Sequence, residues 1–326
     1  MQTTKQDGAW RAPSPFADSF FLTGATASGK TALGVAIARE LGAEIVSLDS
    51  MAVYRKMDVG TAKPSLEERG GVPHHMIDVV DPSEQFSVVE YMRQAAEAVR
   101  GIRERGAVAL FVGGTPLYLK TMLFGVFDAP ASDPRLREEL RGVAEKEGPY
   151  ALWSILREED PESALRLHQN DVKRVVRAIE VVRLTGKPMS AQLKEFSAPP
   201  LFEPGRIFIL TRDRDELYDR INRRVDEMMR AGFLEETRRL FESDPPPGPT
   251  ASKAVGYREL KDVLDGRREL DEAVETIKRL TRNFAKRQET WFRSLTAQGA
   301  RRIDADGKSA DALREEICGE IRKYLE

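Results

Sequence analysis

Gly24-Ala25-Thr26-Ala27-Ser28-Gly29-Lys30-Thr31 is the stretch that decides the fold. It matches G-x-x-x-x-G-K-[ST] at every fixed position, between a short apolar run, Phe20 to Thr23, and a segment with Leu33, Ile37 and Leu41 at helical spacing before Gly42. Strand, glycine turn and helix in that order gather backbone N–H groups around an anion at a helix N-terminus. The glycines let the chain turn inward, the helix end adds partial positive charge, and Lys30 adds a full one. Gly24, Ala25, Thr26, Ala27, Ser28, Gly29, Lys30 and Thr31 are therefore the expected phosphate-binding residues, with the Thr31 hydroxyl placed to hold Mg2+.

Outward from this loop, Ile45 to Leu48 reads as a second buried strand ending at Asp49. A helix from about Val88 to Arg105 follows, then a third strand, Val108 to Val112, closed by Gly113-Gly114. Strands alternating with helices predict an α/β fold: a P-loop NTPase-like parallel sheet with helices on both faces. From about 128 to 202 only helical periods occur, with Ser132 as an expected cap and helices over Pro149 to Glu158 and Asp171 to Leu184. Ile207 to Leu210 resumes the strands. The predicted organisation is a flexible tail (1–17), a catalytic core (18–127 and 203–326) and an all-helical insertion (128–202). The proline-rich run 244–249 must be a surface loop, and Ile277, Leu280, Phe284, Trp291 and Leu295 mark the expected buried stripe of a long helix.

Composition excludes several classes. With 326 residues, 41% hydrophobic and 32% charged, the chain is of the soluble globular kind, and no apolar run approaches the roughly 18 residues of a membrane span. One cysteine, Cys318, and three histidines (His74, His75, His168) leave neither a disulfide framework nor a zinc set, so a cytoplasmic protein without membrane partners is expected. A net charge of -2 leaves RNA binding to local basic faces.

Binding phosphate does not identify a reaction. Kinases and hydrolases with this loop carry an Asp at the end of a further strand, but here Ala109 to Val112 ends in Gly113-Gly114-Thr115. The acid is Asp49 instead, at the carboxyl edge of the sheet, where it could accept a proton or hold a metal.

Further blocks follow in order: Asp49-Ser50-Met51-Ala52-Val53-Tyr54-Arg55, Met57-Asp58-Val59-Gly60-Thr61-Ala62-Lys63-Pro64, Pro73-His74-His75-Met76-Ile77-Asp78, Val112 to Tyr118, Ala254-Val255-Gly256-Tyr257-Arg258 and Ala285 to Arg293. With the glycine loop they resemble the tRNA dimethylallyltransferase (tRNA isopentenyltransferase) family, across about Phe20 to Arg293. Ala25, Ala52 and Pro116 depart from the residues common there (proline, glutamine and glycine), and none of these changes removes a charged group.

The resemblance implies a loop turned to dimethylallyl diphosphate, and an acceptor that is N6 of the adenosine just 3′ of the anticodon, position 37 of tRNA. Lys30, the loop N–H groups and Mg2+ would disperse the charge on the leaving diphosphate, and Asp49 would orient the amine and take its proton. It adds Thr26, Ser28, Thr115 and Arg220 as diphosphate or active-site contacts, and Arg223 joins Arg220 at i, i+3 on a helix. A base inside a stem-loop must leave its stack to react, so the anticodon stem-loop has to be gripped. The segments that would meet it are Asp49, Ser50, Met51 and Ala52 with Thr115; Arg137; Lys173, Arg174, Val175, Val176 and Arg177; and Lys253, Ala254, Val255, Gly256, Tyr257 and Arg258. Arg282 and Lys286 are expected to join them from the basic late helix. His74 and His75 fit a structural or hydrogen-bonding role, Trp291 and Phe292 fit the core, and a monomer is expected. The competing readings are a small-molecule kinase, a prenyltransferase acting on free adenine nucleotides, and a non-catalytic RNA-binding module.

Overall fold

A computed structural model of the chain describes residues 14–125, 132–194 and 200–326. Six strands, β1 (Phe20–Gly24), β2 (Ala43–Ser47), β3 (His74–His75), β4 (Val108–Gly113), β5 (Ile207–Thr211) and β6 (Arg301–Asp304), form one parallel sheet in the order β3-β2-β4-β1-β5-β6. β1 lies between β4 and β5, with Phe21 level with both Phe111 and Ile207, so the loop after β1 opens where the strand order reverses.

Alternate β1 residues feed opposite layers. Phe20 and Leu22 join the core made with α1 (Lys30–Leu41) and α14 (Ala310–Leu325), which also buries Ile37, Ile317 and Cys318. Phe21 points the other way and stacks on Phe111 (4.8 Å) and Phe202 (5.0 Å). A strand covered on both faces must be apolar throughout, which is why these runs were legible. Gly42, at φ 61°, ends α1 by returning its N–H to the Ala38 carbonyl. Helices α2 (Leu66–Arg69), α3 (Val88–Glu104), α4 (Pro116–Phe124), α10 (Arg214–Arg230), α11 (Phe233–Phe241), α12 (Tyr257–Leu264) and α13 (Leu270–Thr296) complete this unit, Met1–Leu123 with Leu201–Glu326.

The second unit, Phe124–Pro200, holds α5 (Pro134–Glu147), α6 (Pro149–Glu159), α7 (Pro161–Arg166), α8 (Val172–Thr185) and α9 (Met189–Lys194) around Leu140, Leu152, Leu156, Val175, Val176 and Ile179. Its centre carries a carboxylate. Glu180 is wholly buried and takes both nitrogens of the Arg137 fork (2.8 Å each), Arg177, and the Asp133 N–H (2.8 Å). Each donor offsets part of the penalty of burying that charge.

Several expectations need correcting. Residues 1–13 of the expected tail lie outside the described residues, but Ser14 and Phe16 are buried, Phe16 with its ring edge-on to Phe111 at 5.7 Å, so the end of the tail is anchored on the core. Asp133, not Ser132, caps α5, its Oδ1 accepting from the Arg135 and Leu136 N–H groups. On α13 the buried stripe runs Ile277, Ala285, Gln288, Phe292 and Leu295, while Phe284 is 37% exposed and Trp291 half-buried. Among the described residues no helix is long and apolar enough to cross a membrane.

Candidate active site

The glycine turn is held in a conformation that its sequence would not keep alone. Gly24 (φ 150°) and Gly29 (φ 98°) carry it inward, and a Cβ on Gly24 would sit 2.4 Å from the Leu210 carbonyl oxygen. Ala27 has φ 62°, a left-handed geometry that costs about 1–2 kcal/mol for a residue with a Cβ. External contacts offset this. Arg220 Nε donates to the Ala27 carbonyl (2.8 Å), Arg212 Nε to the Ser28 carbonyl (2.8 Å), and the Thr26 N–H donates to Gln288 Oε1 (2.9 Å). Ala25 packs against Leu217, Ile221 and Ala285. Helices α10 and α13 thus clamp the turn from outside, and Ser28 Oγ lies buried in it without a protein partner.

Beside the turn opens a cavity of about 400 Å³. Thr26, Lys30, Thr31, Asp49, Gly114 and Thr115 line one part; Ile221, Val225, Met228, Phe233, Ile277 and Phe284 line another. Lys30 Nζ donates to the Ala25 carbonyl (3.0 Å). Burial, then the Arg224 guanidinium, pulls Lys30 down to about 8, against the pull of Asp49. Arg224 reaches the Thr26 hydroxyl (3.3 Å) and the Ala62 carbonyl (3.5 Å), and burial holds it below the usual arginine range, opposed by Asp49. Two cations and a carboxylate therefore face one partly desolvated space.

Asp49 follows β2. Its Oδ1 accepts the N–H groups of Met51 (2.8 Å) and Ala52 (3.2 Å), the turn that a short acidic side chain makes with its own backbone. Among the described residues no protein donor reaches Oδ2. Thr115 Oγ1 accepts the Ser50 N–H (3.0 Å) and ties this turn to β4. The end of β4 has no room for side chains: a Cβ on Gly113 would lie 2.3 Å from the Leu48 carbonyl oxygen, and one on Gly114 2.6 Å from Gln288 Nε2. Gln288, 2% exposed, donates to the Gly114 carbonyl (2.6 Å) while accepting from Thr26, so one amide joins the glycine turn to the loop after β4. His74 lines the cavity with Nδ1–H donating to the Val72 carbonyl (2.8 Å), and His75 pairs with Glu44 (2.6 Å).

Of the residues expected from sequence, Thr26, Lys30, Thr31, Asp49, Ser50, Met51, Ala52, Thr115, Lys253, Ala254, Val255 and Tyr257 line this one cavity. Gly24, Ala25, Ala27, Ser28 and Gly29 form the turn behind it. Arg220 holds the turn from outside and is not among the lining residues, and Arg223 is exposed; the arginine in the cavity is Arg224. Leu217, Ile221 and Val225 are the buried stripe of α10, and Arg220 and Arg224 both flank it at i, i+4, so the helical period alone does not tell them apart.

The expected RNA contacts also divide. Val175 and Val176 are buried in their helical core and have no side chain to offer RNA. Arg137 and Arg177 are engaged with Glu180, whereas Lys173 and Arg174 stand exposed on α8. Tyr257 turns its hydroxyl onto Glu236 (2.6 Å), Gly256 lies under the Phe233 ring, Arg258 pairs with Glu259, and Arg282 donates to Asn222. Lys253 and Lys286 are exposed.

Comparison with known proteins agrees with this geometry. The IPP transferase family model matches residues 52–295 and the isopentenyl transferase model residues 18–83. A tRNA dimethylallyltransferase of Geobacillus thermodenitrificans is 46% identical over 275 residues, 84% of this chain and 86% of that one. One from Thermoanaerobacter sp. is 42% identical over 307 residues, 93% of this chain and 96% of its own. The solved full-length tRNA isopentenylpyrophosphate transferase of Bacillus halodurans has a TM-score of 0.65 at 38% identity, covering 95% of this chain and 98% of that chain. A eukaryotic dimethylallyltransferase acting on tRNA gives 0.75 at 29% identity, over 89% and 74%. With a glycine turn, an acid just after β2 rather than β4 and matches along most of its length, the chain belongs to the IPP transferase family.

Proposed function

We propose that the protein modifies tRNA in the cytoplasm, as a monomer, by transferring a dimethylallyl group from dimethylallyl diphosphate to N6 of adenosine 37, 3′-adjacent to the anticodon, and releasing diphosphate. The observation that carries the reading is the shared cavity: Lys30, Arg224 and Thr26 of the clamped turn line the same space as Asp49. The adenine amine is a weak nucleophile because its lone pair is delocalised into the ring. Its nitrogen attacks the allylic carbon, the carbon–oxygen bond to diphosphate breaks, and the amine proton passes to Asp49. Lys30, Arg224 and the turn's N–H groups meet the charge that grows on diphosphate with dipoles already in place. Ile221, Val225, Met228, Phe233, Ile277 and Phe284 give the five-carbon group an apolar wall.

The donor set suits Mg2+. Thr31 lines the cavity, and among the described residues its hydroxyl has no protein partner, an oxygen donor of the kind a Mg2+ ion takes beside phosphate and water. Thr31 would hold it, and when bound it supplies charge neutralisation on the diphosphate. Lys173 and Arg174 of the helical unit, with Lys253 and Lys286, are the exposed basic groups that support gripping of the anticodon stem-loop.

Labelled dimethylallyl diphosphate tests the reading, offered with unmodified tRNA, an isolated anticodon stem-loop, or AMP. Label on tRNA and stem-loop but not on AMP is expected without ATP. Label on AMP alone would make free nucleotides the substrate, and transfer only from the terminal phosphate of ATP would make this a kinase. In Asp49→Ala, tRNA binding should survive while turnover falls at least about 10²-fold; unchanged turnover would remove Asp49 from the chemistry.

A further inference from the structure

The cavity wall opposite the glycine turn is built from Gly60, Thr61, Ala62, Lys63 and Pro64, and this segment is strained. Lys56 (φ 61°) and Ala62 (φ 47°) both sit in the left-handed region without being glycine, a geometry that persists only when the surroundings over-determine it. The Ala62 carbonyl accepts from Arg224 at 3.5 Å, which links the bend at Ala62 to the cavity's arginine.

The restraint comes from behind the wall. Glu236, in the first turn of α11, accepts the N–H groups of Asp58 (2.9 Å) and Val59 (2.8 Å) on Oε2, and of Gly60 (3.0 Å) on Oε1. The Tyr257 hydroxyl adds a fourth donor to Oε1 at 2.6 Å. Three successive backbone N–H groups turned to one side make an anion cradle, and its occupant here is a carboxylate of the same chain. Gly60 is pressed against the Phe233 ring so closely that a Cβ would lie 2.1 Å from it. The wall is also tied at its far end, where Lys63 Nζ reaches the Tyr54 carbonyl (2.8 Å) and the Asp58 and Asp78 carboxylates (2.6 Å each).

We propose that Glu236 is a positioning residue for prenyl transfer: by filling the Asp58–Gly60 cradle with Tyr257 it fixes the bend at Ala62 and so aims Arg224 at the donor's diphosphate. The inference rests on the function proposed above. Glu236 does not line the cavity itself and acts entirely through the wall and Arg224.

Glu236→Gln replaces one accepting oxygen with an NH2 group that cannot take these donors. The expected result is a KM for dimethylallyl diphosphate raised roughly tenfold or more, with a fall in kcat and an unchanged Kd for tRNA. Tyr257→Phe, which removes a single donor, should shift KM the same way by less, and it carries the test if Glu236→Gln does not fold. Because the effect runs through Arg224, adding Glu236→Gln to Arg224→Ala should change KM no further. A KM unchanged while only the active fraction drops, or full additivity with Arg224→Ala, overturns the proposal. An unmutated enzyme that cannot prenylate tRNA would instead overturn the function on which it rests.

Discussion

Gln288→Leu is the most direct test of how the site is held. The side chain is buried and makes two hydrogen bonds to backbone, one to the glycine turn and one to the loop after β4. Leucine keeps the approximate volume and strands both partners, the Thr26 N–H and the Gly114 carbonyl. Each buried group left unpaired costs about 1–3 kcal/mol, so about 2–6 kcal/mol in all, against the total of about 5–15 kcal/mol usual for a folded domain. The variant should have a Tm lower by roughly 4–24 °C, at about 2–4 °C per kcal/mol for a unit of this size. Thr26 is held by Gln288 through its N–H and by Arg224 through its hydroxyl, so the KM for dimethylallyl diphosphate should rise too. Gln288→Glu keeps an acceptor for Thr26 but sets a buried carboxylate against the Gly114 carbonyl, so it should lose Tm as well as raise KM. Thermal unfolding and steady-state kinetics on the three proteins decide it. A Gln288→Leu enzyme with unaltered Tm and KM would refute the claim that this amide holds the two loops together.

Arg224→Ala should lower kcat/KM by about 10²–10³-fold, as for a lost donor to developing charge, and Arg223→Ala should leave it within about threefold; equal losses would contradict the placement of Arg224. Hydrogen bonding from Arg105 first, then His75, holds Glu44 down to about 2 from 4.5. A carboxylate depressed in the folded state stabilises above its unfolded pKa, so the contribution is complete above about 4.5 and is lost as pH falls towards about 2. Allowing for the half-exposed Arg105, it should amount to about 1–2 kcal/mol. The Tm gap between the unmutated protein and Glu44→Gln should therefore close over that interval, and a pH-independent gap would reject the linkage. Arg174→Ala should reduce the salt dependence of tRNA binding by about one phosphate contact. Arg137→Ala should instead lower the stability of the helical unit by uncovering Glu180; an unaltered salt slope in Arg174→Ala would make that arginine surface charge.

The sheet was readable where burial on both faces forces apolar runs, as in β1, β4 and β5 and at Ile45 and Val46 of β2. It was unreadable at the edges. β3 is two half-buried histidines, and β6 carries Arg301, Arg302 and Asp304 around one buried Ile303, so neither has a hydrophobic signature. The glycine turn and Asp49 were legible because their chemistry demands particular residues at particular spacings. Arg224 was not, because one helix carries three arginines, Arg220, Arg223 and Arg224, whose roles of clamp, surface and cavity depend on rotation about its axis. Arg137 and Arg177 were expected to meet RNA from the resemblance; that both engage the buried Glu180 of α8 was not legible, because a lone acid among apolar neighbours shows no partner in sequence. Gln288 was visible only as part of a longer block; its polarity on an otherwise apolar stripe was the available signal.

The crowding at the end of β4 has a bearing on engineering. The strand beside the glycine turn passes so near Leu48 that position 113 tolerates no side chain, and nucleotide hydrolases with this kind of loop hold their metal with an aspartate on a further strand. An acid placed at 113 would collide with the Leu48 backbone and disturb the turn that carries Asp49. Efforts to redirect this scaffold will find more freedom among the apolar residues that line the cavity than at the edge of its sheet.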